Sequence, residues 1–117
     1  MNSPQILVTG ANGFLGGYVL SSLAAEGTVT VLGRKPMEKC RNVTADLTAP
    51  DLDLGNNSFS TVYHLAGWAH CVPRTAAERE MFFRVNAGGT KNLLRALQQT
   101  GHLPQYFVLI STKYCGR

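Results

Sequence analysis

The chain has 117 residues, 44% of them hydrophobic and 15% charged, which suits a single domain with a real core and excludes a disordered segment. Its formal charge of +4 comes from basic residues that begin only at Arg34, where Arg34, Lys35, Lys39 and Arg41 cluster without interleaved aromatics, so nucleic acid is not the expected partner. No apolar run approaches the ~18 residues of a membrane span, and the start Met1-Asn2-Ser3-Pro4 has no signal-peptide pattern. Cys40, Cys71 and Cys115 suggest neither a disulfide framework nor a zinc site, so a reducing cytoplasm is the expected compartment.

In chain order, Gln5 to Thr9 is a short apolar run stopped by Gly10 and reads as a buried strand. Phe14 to Ala25 carries Leu15, Val19, Leu20 and Leu23 at helical spacing, and Gly27 stops it. Thr28 to Leu32 is a β-branched second strand, broken by Gly33 to Pro36. A short third strand is expected around Val43, within Arg41 to Asp46, followed by a loop from Leu47 to Asn57 with Pro50, Gly55 and an Asn pair. Ser60 to Ala66 is a fourth strand, ended by Gly67. Thr75 and Glu78 have capping-box spacing and open a long helix. Phe82, Val85, Gly89, Leu93 and Leu97 mark its inner face, and Gly101 closes it. Gln105 to Ser111 is the last strand. Near-continuous apolar strands separated by helices predict an α/β fold, a doubly wound parallel sheet covered on both faces.

Gly10-Ala11-Asn12-Gly13-Phe14-Leu15-Gly16 joins the first strand to the first helix. A helix start offers unpaired N–H groups and the positive dipole end, and glycines let a pyrophosphate approach the backbone there. Glycines in a strand-to-helix turn are the context of a dinucleotide-binding, Rossmann-like fold. The end of the second strand bears on which dinucleotide. An NAD site usually has an acid there for the ribose 2′-hydroxyl. Here Leu32-Gly33 is followed by Arg34 and Lys35, so NADP is favoured over NAD, with Arg34 pairing the 2′-phosphate and Lys35 assisting. A solvated basic loop is the alternative for this cluster.

Thr9-Gly10-Ala11-Asn12-Gly13-Phe14-Leu15-Gly16 resembles the TGxxGxxG loop of the extended short-chain dehydrogenase/reductases, the NAD(P)-dependent epimerases and dehydratases. Asp46-Leu47 resembles that family's adenine-side pair, and His64-Leu65-Ala66-Gly67 the motif after its fourth strand. Val85-Asn86 with Gly89-Thr90 and Asn92-Leu93-Leu94 resembles its VNxxGTxNLL helix, and Phe107 to Thr112 the strand leading to its catalytic hydroxyl. The resemblance implies cofactor contacts at Gly10, Asn12, Gly13, Phe14, Leu15, Gly16, Asp46, Leu47, Leu65, Ala66, Gly67, Ala69 and Asn86. It implies a nucleotide-sugar substrate, of the kind that UDP-sugar epimerases and nucleotide-sugar dehydratases take. Thr112 is the match for the catalytic hydroxyl, with Ser111 next to it. For several of these residues a purely structural role stands beside the functional one: Asp46 as a loop or cap aspartate, Ala66-Gly67 as a packed strand end, Ser111 and Thr112 as strand-end caps. His64, His70 and His102 have no metal-like spacing and read as structural.

The family's Tyr-x-x-x-Lys pair does not occur within residues 1–117: Tyr18, Tyr63 and Tyr106 are followed four residues later by Ser22, Gly67 and Ile110, and Tyr114 would need position 118. Residues 1–117 are therefore expected to be one incomplete cofactor domain, ending after a fifth strand and inactive alone, whose exposed edge favours a homodimer. A non-catalytic NADP-binding module or redox sensor on the same fold is the alternative function.

Overall fold

The computed structural model describes residues 4–11, 16–38, 40–55, 57–65, 75–83 and 87–109, with the backbone alone for 81–83, and all structural statements concern these residues. Its elements are β1 (Gln5–Thr9), α1 (Gly16–Leu23), β2 (Thr28–Gly33), β3 (Arg41–Thr44), β4 (Thr61–His64), α2 (Ala76–Phe83), α3 (Gly89–Gln99) and β5 (Tyr106–Leu109). The five strands form one parallel sheet in the order β3-β2-β1-β4-β5.

Alternation along β1 sets the two layers. Leu7 packs with Leu93, Ala96 and Leu97 of α3, whereas Ile6 and Val8 face the opposite way and pack with Leu23 of α1. The helices thus cover opposite faces, as the doubly wound reading requires. The spacing of Leu93, Ala96 and Leu97 puts all three on one stripe of α3, and each is at most 1% exposed.

The segment expected to be a loop between β3 and β4 is irregular, but it is not peripheral. Leu52, Leu54 and Phe59 are buried in the α3-side core, so this connection crosses the sheet as a layer of packing. The long helix expected from Thr75 to Gly101 is described as two runs, α2 and α3, with residues 84–86 between them outside the described set. Its ends match their sequence signals. Thr75 N–H donates to Glu78 Oε1 at 3.2 Å while Glu78 N–H donates to Thr75 Oγ1 at 3.1 Å. Gly101, just beyond α3, has a φ of 79°, where a side chain would be strained.

Among the described residues β5 pairs with β4 and forms one edge of the sheet, with Tyr106 and Leu109 exposed. No helix among the described residues is long and apolar enough to cross a membrane.

Candidate dinucleotide site

The strand order runs one way from β1 through β2 to β3 and the other way from β1 to β4 and β5. Such a reversal opens a crevice beyond the carboxyl ends of the two central strands. Thr9 ends β1 there and pairs with Leu32 of β2 and His64 of β4, so Gly10, Gly33-Arg34 and Leu65 leave the sheet side by side.

Two glycines shape the turn from β1 into α1. Gly10 has a φ of 73°, which swings the chain out of the sheet. A Cβ on Gly16 would run into the Ala11 carbonyl, so only glycine lets the first turn of α1 lie this close to the loop it follows. Asn12, Gly13, Phe14 and Leu15 lie outside the described residues. So do Ala66, Gly67, Ala69, Asn86, Ser111 and Thr112.

Arg34 and Lys35 follow β2 directly and are exposed. Asp46 lies just beyond β3 and is also exposed. Thr48 donates to Asp46 Oδ1 twice, through its hydroxyl at 2.7 Å and its N–H at 2.8 Å. These bonds, with a smaller attraction from Arg34, hold the Asp46 carboxyl below its ordinary pKa. Asp46 is therefore both a local turn aspartate and a carboxylate in the field of Arg34.

Behind this rim, α3 is fastened to the strand ends. His64 is 1% exposed, with Nδ1 2.6 Å from Thr9 Oγ1 and Nε2 2.9 Å from Thr90 Oγ1. Burial pushes its pKa down, which favours the neutral ring. Asn92 Nδ2 donates to the Leu47 carbonyl at 2.7 Å. A Cβ on Gly89 would already touch Leu47 Cβ at 3.5 Å, so the helix runs close to the loop after β3. Leu47 and Leu65 are half-buried, each against one of the two cores.

A glycine turn feeding a helix start, two exposed basic side chains and a carboxylate on one sheet edge suit a ligand with phosphates and a hydrogen-bonding base. The fit is chemical: the donor set matches a dinucleotide. Sequence reading missed the fastenings. His64 is structural, as its lack of metal-like spacing suggests, but its partners lie 55 and 26 residues away and leave no local pattern. Asn42 was not singled out, although its side chain makes three bonds to the loop that carries Arg34 and Lys35.

The sequence model of the NAD dependent epimerase/dehydratase family matches residues 6–115. A 3-beta-hydroxysteroid dehydrogenase of Mycolicibacterium neoaurum is 32% identical over 107 residues, covering 83% of this chain and 29% of that protein. A GDP-6-deoxy-D-mannose reductase of Pseudomonas aeruginosa is 31% identical over 115 residues, covering 97% of this chain and 36% of that protein. The chain thus spans about a third of the length of these relatives. Among solved structures, MoeE5 in complex with UDP-glucose and NAD superposes with a TM-score of 0.69 at 28% identity, covering 93% of this chain and 36% of that one.

Proposed function

From the premise that the chain belongs to the NAD dependent epimerase/dehydratase family, we propose that it is the dinucleotide-binding portion of an enzyme acting on a nucleotide-linked sugar, with NADP preferred over NAD. The sugar class is supported by the reductase of a GDP-linked sugar and by the solved structure holding UDP-glucose. A hydroxysteroid is the second reading, favoured by the steroid dehydrogenase relative. Turnover of nucleotide sugars against 3β-hydroxysteroids by the full-length gene product separates the two. Steroid turnover alone would overturn the sugar reading.

The observation that carries the cofactor preference is Arg34, exposed at the end of β2 in the place where an NAD site carries an acid. With no carboxylate at that point, a 2′-phosphate meets a guanidinium able to bind it through two parallel hydrogen bonds. Gly10 and Gly16 keep side chains away from the pyrophosphate, and Asp46 accepts from the adenine amine through the oxygen that Thr48 does not use. When bound, the nicotinamide accepts and returns a hydride. Within the described residues, the chain's own work is to bind and orient the dinucleotide. Thr112, with Ser111, is the proposed hydroxyl that hydrogen-bonds the reacting oxygen of the substrate.

Separate titrations of NADPH and NADH, followed by nicotinamide fluorescence, test the preference. Arg34→Ala should weaken NADPH about tenfold or more while leaving NADH nearly unchanged, the scale of one charge-assisted contact. Equal losses for the two would overturn the NADP assignment, and no binding of either would overturn the dinucleotide reading.

A further inference from the structure

Arg34 and Lys35 are long, flexible and exposed, yet the backbone that carries them is held at both ends. On one side, Gly33 is still within the sheet: it pairs with Thr44, and its carbonyl accepts from Ala45 N–H at 2.9 Å. On the other side, the anchor is Asn42, the second residue of β3. Its Oδ1 accepts from Met37 N–H at 2.8 Å, and its Nδ2 donates to the Met37 carbonyl at 3.0 Å and to the Cys40 carbonyl at 2.8 Å. The amide therefore pairs with the Met37 peptide much as a neighbouring strand would, and spends its second N–H on Cys40. Met37 and Cys40 are half-buried against the α1-side core, so their positions are doubly fixed. Only Arg34, Lys35 and Pro36 lie between the two anchors, and proline fixes its own φ.

We infer that Asn42 is a positioning residue for the basic pair Arg34 and Lys35, and through it a determinant of selectivity for a dinucleotide carrying a 2′-phosphate. The inference rests on the NADP reading above and goes beyond it: discrimination belongs to a loop whose shape is imposed from β3, and Arg34 alone does not account for it. Binding an anion with two mobile cations costs the ordering of both side chains and of the backbone beneath them. Asn42 orders that backbone before the ligand arrives. The remainder of the dinucleotide would lie at the ends of β1, β3 and β4, away from the Met37 and Cys40 anchors, so a ligand without the 2′-phosphate should sense the change much less.

The test compares dissociation constants for NADPH and NADH in the unmodified protein, Asn42→Ala, Asn42→Asp, Arg34→Ala and the double variant Asn42→Ala/Arg34→Ala. Asn42→Asp keeps the shape and the acceptor for Met37 N–H but cannot donate to either carbonyl and adds a negative charge near the basic pair, so Asn42→Ala carries the test of positioning alone. Both Asn42 variants should weaken NADPH about tenfold, with NADH within about twofold, the order expected for re-ordering two basic side chains on binding. The double variant should lose less NADPH affinity than the two single losses combined, because with Arg34 removed Asn42 has only Lys35 left to position. An unchanged NADPH-to-NADH ratio in Asn42→Ala would overturn the inference while leaving the cofactor reading intact, provided Arg34→Ala is selective. Equal losses for both cofactors, or additive losses in the double variant, would likewise reduce Asn42 to a general structural residue. A flat result for Arg34→Ala would sink the NADP reading and the inference with it.

Discussion

His64 sits in the sheet's interior between two hydroxyls, its ring tilted 52° to Phe107 at a centroid distance of 6.1 Å. A neutral imidazole offers one donor and one acceptor, so Thr9 and Thr90 see opposite characters across the ring and each can be matched. Burial disfavours the charged form and lowers the folded-state pKa beneath the ordinary value of about 6.5. The unfolded chain therefore takes up this proton first. Stability linked to His64 is complete above the unfolded value and falls as pH drops from there towards the folded pKa. Asp46 is also depressed in the folded state, so its share is present above the ordinary carboxylate value, about 3.9, and is lost only in more acid solution. The two windows are distinct. Between pH 7 and pH 5 the urea midpoint of the protein should fall, and His64→Gln should flatten that slope because its amide reaches towards Thr90 without titrating. Parallel slopes in the two proteins would show that another group carries the effect.

At the scale of the element, α2 is defined at its start by a reciprocal pair of hydrogen bonds on the surface. Thr75 to Glu80 are exposed, so capping rather than burial fixes where this helix begins. Thr75→Ala should cost about 1 kcal/mol in local stability, read as faster amide exchange over residues 76–80 with α3 unchanged. An equal change in α3 would mean that α2 and α3 open together. This start was legible because a capping box is a spacing of three, visible without knowing the fold. The strands were legible for a different reason: Ile6-Leu7-Val8 is apolar at every position because both faces are covered. Burial of Leu52, Leu54 and Phe59 was not legible, since an irregular connection has no period to betray an inward face. At the site, glycines, basic residues and Asp46 announce themselves by type. The bonds of Asn42 and His64 do not, because a single polar residue in a strand carries no sign of which carbonyl or hydroxyl it will meet.

Taken whole, the molecule has two half-cores and one sheet, and β1 belongs to both. Leu7 is fully buried on the α3 side, Val8 is fully buried on the α1 side, and β1 is hydrogen-bonded to β2 and to β4. The candidate site straddles the same division, with Gly10 and Gly16 leading into α1, and Thr90 and Asn92 belonging to α3. A ligand across that edge needs the two helices held in a fixed relation, and among the described strands β1 is the one that contacts a partner on each side of the reversal in strand order. Leu7→Ala removes bulk from the α3-side core, and truncations of this kind cost about 2–5 kcal/mol. Because the strand that loses the contact also supplies Ile6 and Val8 to the other face, the loss should not stay on one side. Denaturant titrations followed at amides of α1 and of α3 should both shift to lower midpoints, and the two midpoints should coincide. A lowered midpoint for α3 with α1 unmoved would separate the half-cores into independent units. In that case a dinucleotide, bridging both, would be what joins them, and adding NADPH at about 100 times its dissociation constant should bring the two transitions back together, with about 2.7 kcal/mol of added stability.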